Sequence, residues 1–227
     1  MDNTPQKISL RIKKRLLFAS VGFWFPVVIF LKFADDVFAK EPILIDEPLI
    51  AATRTISSNG IDVFMKFVTH GGDTLFIFTA TLVLSLFLYS RRRRRDLLAV
   101  LFSVGGAGII NVILKLFFQR DRPSLATALI SENSFSFPSG HAMGTVALGL
   151  TLVTMLWRSK WRWLSVALAT VYISTIGFSR VYLGVHYPSD VVGGWCVSAV
   201  WVFIVYVALE HPGFIKRSLK KILNIKA

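Results

Sequence analysis

A chain of 227 residues, 54% of them apolar, is long enough for one domain and too hydrophobic for an ordinary soluble one. Its formal net charge of +13 would suit a nucleic-acid binder, but the cations stand in short runs between apolar blocks instead of on one polar face, which speaks against that class. The lone Cys196 lies inside an apolar block, so no internal disulfide can form.

The pattern predicts an all-α, polytopic membrane protein forming a single domain over 1–227. Six transmembrane helices are expected at 16–33, 74–90, 97–118, 142–157, 163–178 and 191–209. Blocks of this length match a hydrocarbon core of about 30 Å at about 1.5 Å per helical residue. The first, preceded by Lys7, Arg11, Lys13, Lys14 and Arg15, reads as an anchor: it is longer than a signal peptide's apolar region, and no small-residue cleavage site follows. Pro26 is its candidate kink.

Between 41 and 70 a helical rhythm of apolar residues is broken by Ser57-Ser58-Asn59-Gly60, which predicts two short amphipathic helices on the outer membrane surface. His70-Gly71-Gly72-Asp73 then turns the chain into the second block, with His70 read as a loop histidine. The arginine run at 91–95 separates blocks two and three. Lys115 stands 20 residues beyond Arg95, roughly 30 Å along the helix, and so reaches the opposite headgroup layer. Gly105, Gly106 and Gly108 suggest close helix packing, Asn111 an interhelical hydrogen bond, and Gly140 with Gly144 a small-residue contact opening the fourth helix. The linker carrying Arg158, Lys160 and Arg162 is short, so helices four and five are expected to be antiparallel neighbours. His211-Pro212-Gly213 ends the last helix before a basic tail holding Lys216, Arg217, Lys220, Lys221 and Lys226.

If the six blocks cross alternately, these basic clusters all fall on one side, the positive-inside pattern with both termini cytoplasmic. The segment left outside is acidic, with Asp35, Asp36, Glu41, Asp46, Glu47, Asp62 and Asp73. Lys115, Arg120, Arg122, Ser139, Gly140, His141, Arg180, His186 and Asp190 then gather at the outer face, a convergence independent of the apolar blocks and basic clusters that define the topology.

Each of these has a task in phosphate chemistry. Arg122 and Arg180 offer planar forks of donors and Lys115 a point charge. Ser139 and Gly140 stand at the start of the fourth helix, where backbone N–H groups and the helix dipole attract anions. His186 is the candidate nucleophile, with Asp190 one helical turn away to orient it; His141 is the candidate acid for the leaving alkoxide and base for the attacking water. The two histidines need opposite protonation states, which implies a bell-shaped pH profile. Only Asp121, Glu132 and Asp190 are acidic in this stretch, so no metal site and no cofactor are expected.

The three stretches from Lys115 to Pro123, Pro138-Ser139-Gly140-His141, and Ser179-Arg180 through His186 to Asp190 resemble the signatures of the type 2 phosphatidic acid phosphatase superfamily, K-x6-RP, PSGH and SR-x5-H-x3-D, without a gap. The bacterial membrane members, such as the phosphatidylglycerophosphatase B-like group, are similar over the whole length. The resemblance implies a lipid phosphatase working without metal: Lys115, Arg122, Ser139, Gly140 and Arg180 would bind phosphate, His141 would be the general acid, and His186 the nucleophile assisted by Asp190. Arg120 has no role in that pattern; a headgroup contact and plain surface charge are its two readings. The expected partners are the bilayer and a phosphorylated lipid such as phosphatidate, phosphatidylglycerophosphate, undecaprenyl pyrophosphate or lipid A phosphate, with undecaprenyl pyrophosphate preferred. The expected location is a bacterial inner membrane with the site on the periplasmic side; oligomeric state is left open. Three rivals differ in kind: a vanadate-type haloperoxidase, against which six apolar blocks argue; a transporter, which would need charges crossing the bilayer; and a lipid-to-lipid phosphotransferase using the same site.

Overall fold

The computed structural model describes residues 10–123 and 128–210. The side chains of the basic cluster before the first helix, the His211-Pro212-Gly213 break and the basic tail lie outside the described part. The described residues form eight α-helices: α1 (Leu10–Phe38), α2 (Asp46–Thr55), α3 (Asn59–Thr69), α4 (Thr74–Ser90), α5 (Arg94–Phe118), α6 (Gly140–Leu156), α7 (Arg162–Tyr182) and α8 (Pro188–Glu210). A short 3-10 turn, His70–Gly72, joins α3 to α4.

Helices α5, α7 and α8 are long and apolar enough to cross a membrane. α3 and the 3-10 turn form a broken pair with α4, bent by 47°, that passes the same test as a unit, whereas α6 is a shorter apolar helix. The expected blocks are all helical, and several run further than hydropathy alone suggested. α1 continues to Phe38 with Pro26 inside it, and α7 continues to Tyr182, which puts Arg180 in its last turn.

α6 is the central post, packed by α5, α7 and α8 and touched by α4. Small residues permit this: a Cβ on Gly144 would lie 3.3 Å from Ile77 of α4, and one on Gly149 would lie 3.2 Å from Ile173 of α7. Of the three glycines of α5, only Gly106 serves packing, since a Cβ there would lie 2.4 Å from the indole of Trp201 on α8. Gly105 and Gly108 have nothing within 4 Å, so the expectation of close packing fails for them because they face outward. Asn111 donates to the Pro138 carbonyl at 3.0 Å and approaches the Met143 sulfur at 3.3 Å, tying α5 to the start of α6. Leu75, Phe78, Val83, Ile109, Val112, Ile113, Leu168 and Val171 are exposed on α4, α5 and α7. An apolar exterior of this kind, on helices that satisfy their own backbone groups, is what a hydrocarbon solvent requires.

α2 and α3 lie across one end of the bundle against α7, and α2 also meets α8. Ile50 of α2 packs with Ala142, Val181 and Val191, and Met65 of α3 packs with Tyr182, Leu183 and Val185. Ser58 caps α3, its hydroxyl accepting the Ile61 N–H. Beneath the segment that leads into α6, the rings of Phe30, Phe118 and Phe137 cluster, with Phe118 and Phe137 edge to face at 5.0 Å. Phe137 is fully buried, and these contacts anchor the chain just before Ser139.

Candidate active site

Every residue singled out in the three motifs converges at the end of the bundle covered by α2 and α3. His186 sits in the short connection between α7 and α8, which is shaped by the backbone: Gly184 adopts a positive φ of 72°, and the N–H groups of Val185 and His186 both turn back onto the Arg180 carbonyl. A side chain at 184 would be strained in that conformation. The loop fixes His186 at 1% exposure, with Arg122 Nη1 3.3 Å from its Nε2 and Asp190 Oδ2 3.4 Å from its Nδ1. Burial, and then the positive charges of Arg180, Arg122 and Lys115, hold the His186 imidazole well below the ordinary histidine pKa, so the ring is neutral near pH 7.

Arg122 is clamped by main-chain acceptors, donating from Nη1 to the Val185 carbonyl at 2.6 Å and from Nε to the Ser134 carbonyl at 2.7 Å. The Ser134 hydroxyl joins Arg122 Nη2 at 3.0 Å to Lys115 Nζ at 2.9 Å. Lys115 therefore belongs to the site and is more than a helix-end marker. Arg180, 1% exposed, donates to Thr69 Oγ1 at 2.9 Å and to Glu132, while its Nε has no partner among the described residues. The buried Ser139 hydroxyl also lacks one. Two buried polar donors without partners beside these cations are groups that could bind an oxyanion. Ser139 ends the extended segment before α6, but its N–H is spent on the Asp190 carbonyl at 3.0 Å. The expectation of a free N–H there fails, and Gly140 is the first terminal donor of the helix.

Glu132 lies across this cradle, paired with Arg180 and with its Oε2 3.9 Å from Arg122. Burial pushes its carboxyl up, but the Arg180 charge and hydrogen bond together with the Arg122 charge outweigh that and hold it below the usual carboxylate range. It is an ionised carboxylate among the donors that a phosphate would use.

Asp190, fully buried, does more than face His186. Its Oδ2 accepts the Ser136 hydroxyl and the Tyr187 N–H, the latter at 2.8 Å. Its Oδ1 accepts from Arg120 Nη1 at 2.6 Å. Arg120 is neither a surface charge nor free to meet a headgroup, which corrects both readings offered for it. Its guanidinium bridges Asp190 and Asp46, at 2.7 Å from the latter, and lies over the Tyr187 ring at 4.2 Å. Asp46 in turn accepts the Ser189 N–H at 2.9 Å and hydroxyl at 2.6 Å. Arg120 and Asp46 are thus supports of the site that the motif spacing did not reveal, because their partners lie about 70 residues or more away in the chain.

His141, in the first turn of α6, is held by Asp73: its Nε2 lies 2.8 Å from Asp73 Oδ1, and Asp73 Oδ2 lies 2.7 Å from His70 Nδ1. No group of three or more potential metal ligands occurs among the described residues; Asp46, Asp73, Glu132 and Asp190 are each taken up by arginine or histidine partners.

The sequence profile of the PAP2 superfamily matches residues 96–212. Phosphatidylglycerophosphatase B of Bacillus subtilis is 32% identical over 177 residues, which is 76% of this chain and 81% of the relative. An undecaprenyl-diphosphatase of Sulfolobus acidocaldarius is 30% identical over 174 residues, 74% of this chain and 79% of the relative. Among solved structures, a transmembrane PAP2-type phosphatidylglycerolphosphate phosphatase from Bacillus subtilis superposes with a TM-score of 0.71 at 29% identity, covering 85% of this chain and 96% of that one. Aquifex aeolicus LpxE shares the fold, with a TM-score of 0.62 at 22% identity.

Proposed function

The chain belongs to the PAP2 superfamily and is a phosphatase embedded in a membrane, and from that premise we propose that it hydrolyses a phosphomonoester or pyrophosphate of a membrane lipid through a phosphohistidine on His186. The observation that carries this reading is a buried, neutral imidazole ringed by Lys115, Arg122 and Arg180, with its Nε2 3.3 Å from an Arg122 nitrogen. A phosphate oxygen bound to Arg122 would hold phosphorus beside that Nε2. Asp190 accepts the Nδ1 proton, which fixes the tautomer with a lone pair on Nε2.

Attack of Nε2 on phosphorus breaks the ester P–O bond, and the departing oxygen takes a proton from His141. Water then gives a proton to His141 and its oxygen to phosphorus, and the P–N bond breaks to return neutral His186. Through both steps the equatorial oxygens rest against Lys115, Arg122, Arg180, the Ser139 hydroxyl and the Gly140 N–H, where fixed donors stabilise charge without reorganising. The incoming dianion displaces the Glu132 carboxylate from Arg180 or shares the arginine with it.

In this reading α1, α4, α5, α6, α7 and α8 are the six spans, both termini are cytoplasmic, and the site opens to the outer leaflet of a bacterial inner membrane. What supports it is the separation along the helix: Arg94 and Arg95 begin α5 and Lys115 lies in its last turn, about 30 Å away. Phosphate release from phosphatidate, phosphatidylglycerophosphate, undecaprenyl pyrophosphate and lipid A phosphate, measured with EDTA present and His186→Ala as the blank, tests the proposal. Release from at least one lipid, absent in the blank, is expected, with undecaprenyl pyrophosphate as the favoured substrate. Equal release by the blank, or activity that EDTA removes and Mg²⁺ restores, contradicts it.

A further inference from the structure

The turn before α4 is built with a specificity that a connecting loop does not need. Tyr172 of α7 donates to the Gly71 carbonyl at 2.6 Å, pinning the turn to the bundle. A Cβ at Gly72 would lie 2.7 Å from the His141 ring and 2.7 Å from Ile176, so the ring rests directly on the backbone there. The next residue, Asp73, meets His141 Nε2 at 2.8 Å. His70, on the preceding turn, holds the other carboxylate oxygen at 2.7 Å. Asp73 begins α4 without capping it, since its side chain makes no hydrogen bond to the helix's own N–H groups. Both carboxylate oxygens are given to histidines.

We propose that Asp73 is the positioning residue for the general acid: it binds the Nε2–H of His141, so the proton that reaches the leaving oxygen comes from Nδ1. The inference rests on the assignment of His141 as that acid. Nε2 is committed to the carboxylate, which leaves Nδ1 as the nitrogen available to substrate. The other charged groups facing His141 are Arg180 of α7, which disfavours an imidazolium, and Glu132 of the segment before α6, which favours one; His186 also faces it. Asp73 is the charge in direct contact, so it is the group that orients the ring and opposes the cost that burial and Arg180 place on the imidazolium needed for proton donation. His70 fixes the rotation of the Asp73 carboxylate from the exposed side.

In the first half-reaction the P–O bond breaks, the Nδ1 proton moves to the leaving oxygen, and His141 is left neutral with its Nε2–H still on Asp73. In the second, water returns a proton to Nδ1 as its oxygen bonds to phosphorus. No proton need travel beyond Asp73 for the cycle to close. The dependence on Asp73 should then scale with the basicity of the leaving group. A lipid alkoxide cannot depart without a proton, whereas the phosphate leaving a lipid pyrophosphate needs far less help.

Asp73→Asn tests this with a phosphomonoester lipid and a pyrophosphate lipid in parallel, over a pH series. The expected result is a loss of kcat/KM about 10- to 100-fold greater for the monoester than for the pyrophosphate, with the alkaline limb moved down by about one pH unit. Both readouts are insensitive to the fraction of folded protein. Equal losses for both substrates with an unmoved limb would overturn the inference and leave Asp73 a structural residue. His141→Gln, run beside it, separates the two levels. If that variant keeps full activity, the assignment of His141 itself fails; if it shows the leaving-group dependence and Asp73→Asn does not, only the role of Asp73 fails.

Discussion

Replacing Arg120 with methionine removes one side chain and strands two carboxylates. The guanidinium is the charge partner of both Asp190, 2.6 Å away, and Asp46, 2.7 Å away, and the side chains of these acids are 0% and 3% exposed. It also donates to Ser189 at 2.8 Å and covers the Tyr187 ring. Breaking a buried pair by deleting one partner costs about 3–5 kcal/mol, mostly because the remaining charge is left uncompensated. Two stranded acids put Arg120→Met at the upper part of that range, whereas Asp46→Asn, which leaves the Arg120–Asp190 contact intact, should cost about 1–3 kcal/mol. The assay is equilibrium unfolding in mixed detergent, with a double-mutant cycle of Arg120→Met and Asp46→Asn. The account expects the pair to be less than additive, with a coupling of about 0.5–3 kcal/mol, because each change removes part of the reason for the other's penalty. Arg120→Lys should recover charge without the fork that spans both acids, and so only part of the loss. A methionine variant within about 1 kcal/mol of the parent protein and fully active would refute the reasoning, since surface pairs are worth that little.

The remaining predictions concern packing, the His–Asp contact and pH. Gly106→Ala should destabilise by about 1–3 kcal/mol, because its Cβ meets the Trp201 indole, while Gly105→Ala, open to the outside, should be neutral or slightly stabilising; equal effects in thermal unfolding would dismiss the packing argument. Asp190→Asn should lower turnover by about 10²–10⁴-fold and, unlike a change that only disturbs His186, should also reduce stability because Arg120 loses one of its two charge partners; unchanged turnover would remove Asp190 from the mechanism. His186 has a folded pKa below its unfolded value of about 6.5, so the unfolded chain takes up a proton first as pH falls. Stability should therefore be level above about pH 7 and drop below about pH 6.5, and His186→Gln should flatten that slope. Glu132, also depressed, acts only at lower pH, where its stabilisation is lost as the carboxylate range is crossed. Identical pH slopes for the parent protein and His186→Gln would show that His186 is not held neutral by the fold.

The helices were legible because a membrane chain writes them in hydropathy and charge: the five arginines at 91–95 mark a turn, and the structure starts α5 at Arg94. The gathering of Lys115, Arg122, Ser139, His141, Arg180, His186 and Asp190 was legible because each stands at a predicted helix end or in a short connection. Arg120, Asp46 and Asp73 were not, since their contacts join segments that are remote in sequence and polar spacing carries no information about such pairs. A signal for Asp73 was present in retrospect. Two glycines between a histidine and an aspartate make a turn tight enough to admit another ring, and the acid lies on the same predicted side as His141. Gly105 and Gly108 were misread for a different reason: three glycines on one helix cannot all face the same neighbour, and spacing alone does not say which does.

The most direct test of a phosphohistidine mechanism is to quench turnover of a radiophosphate-labelled lipid in alkali, where phosphohistidine survives, and to map the label on the protein. The account predicts label on the peptide holding His186, lost on acid treatment and absent from His186→Ala. Label on any other residue, or a His186→Ala protein that releases phosphate at the parent rate, would contradict it.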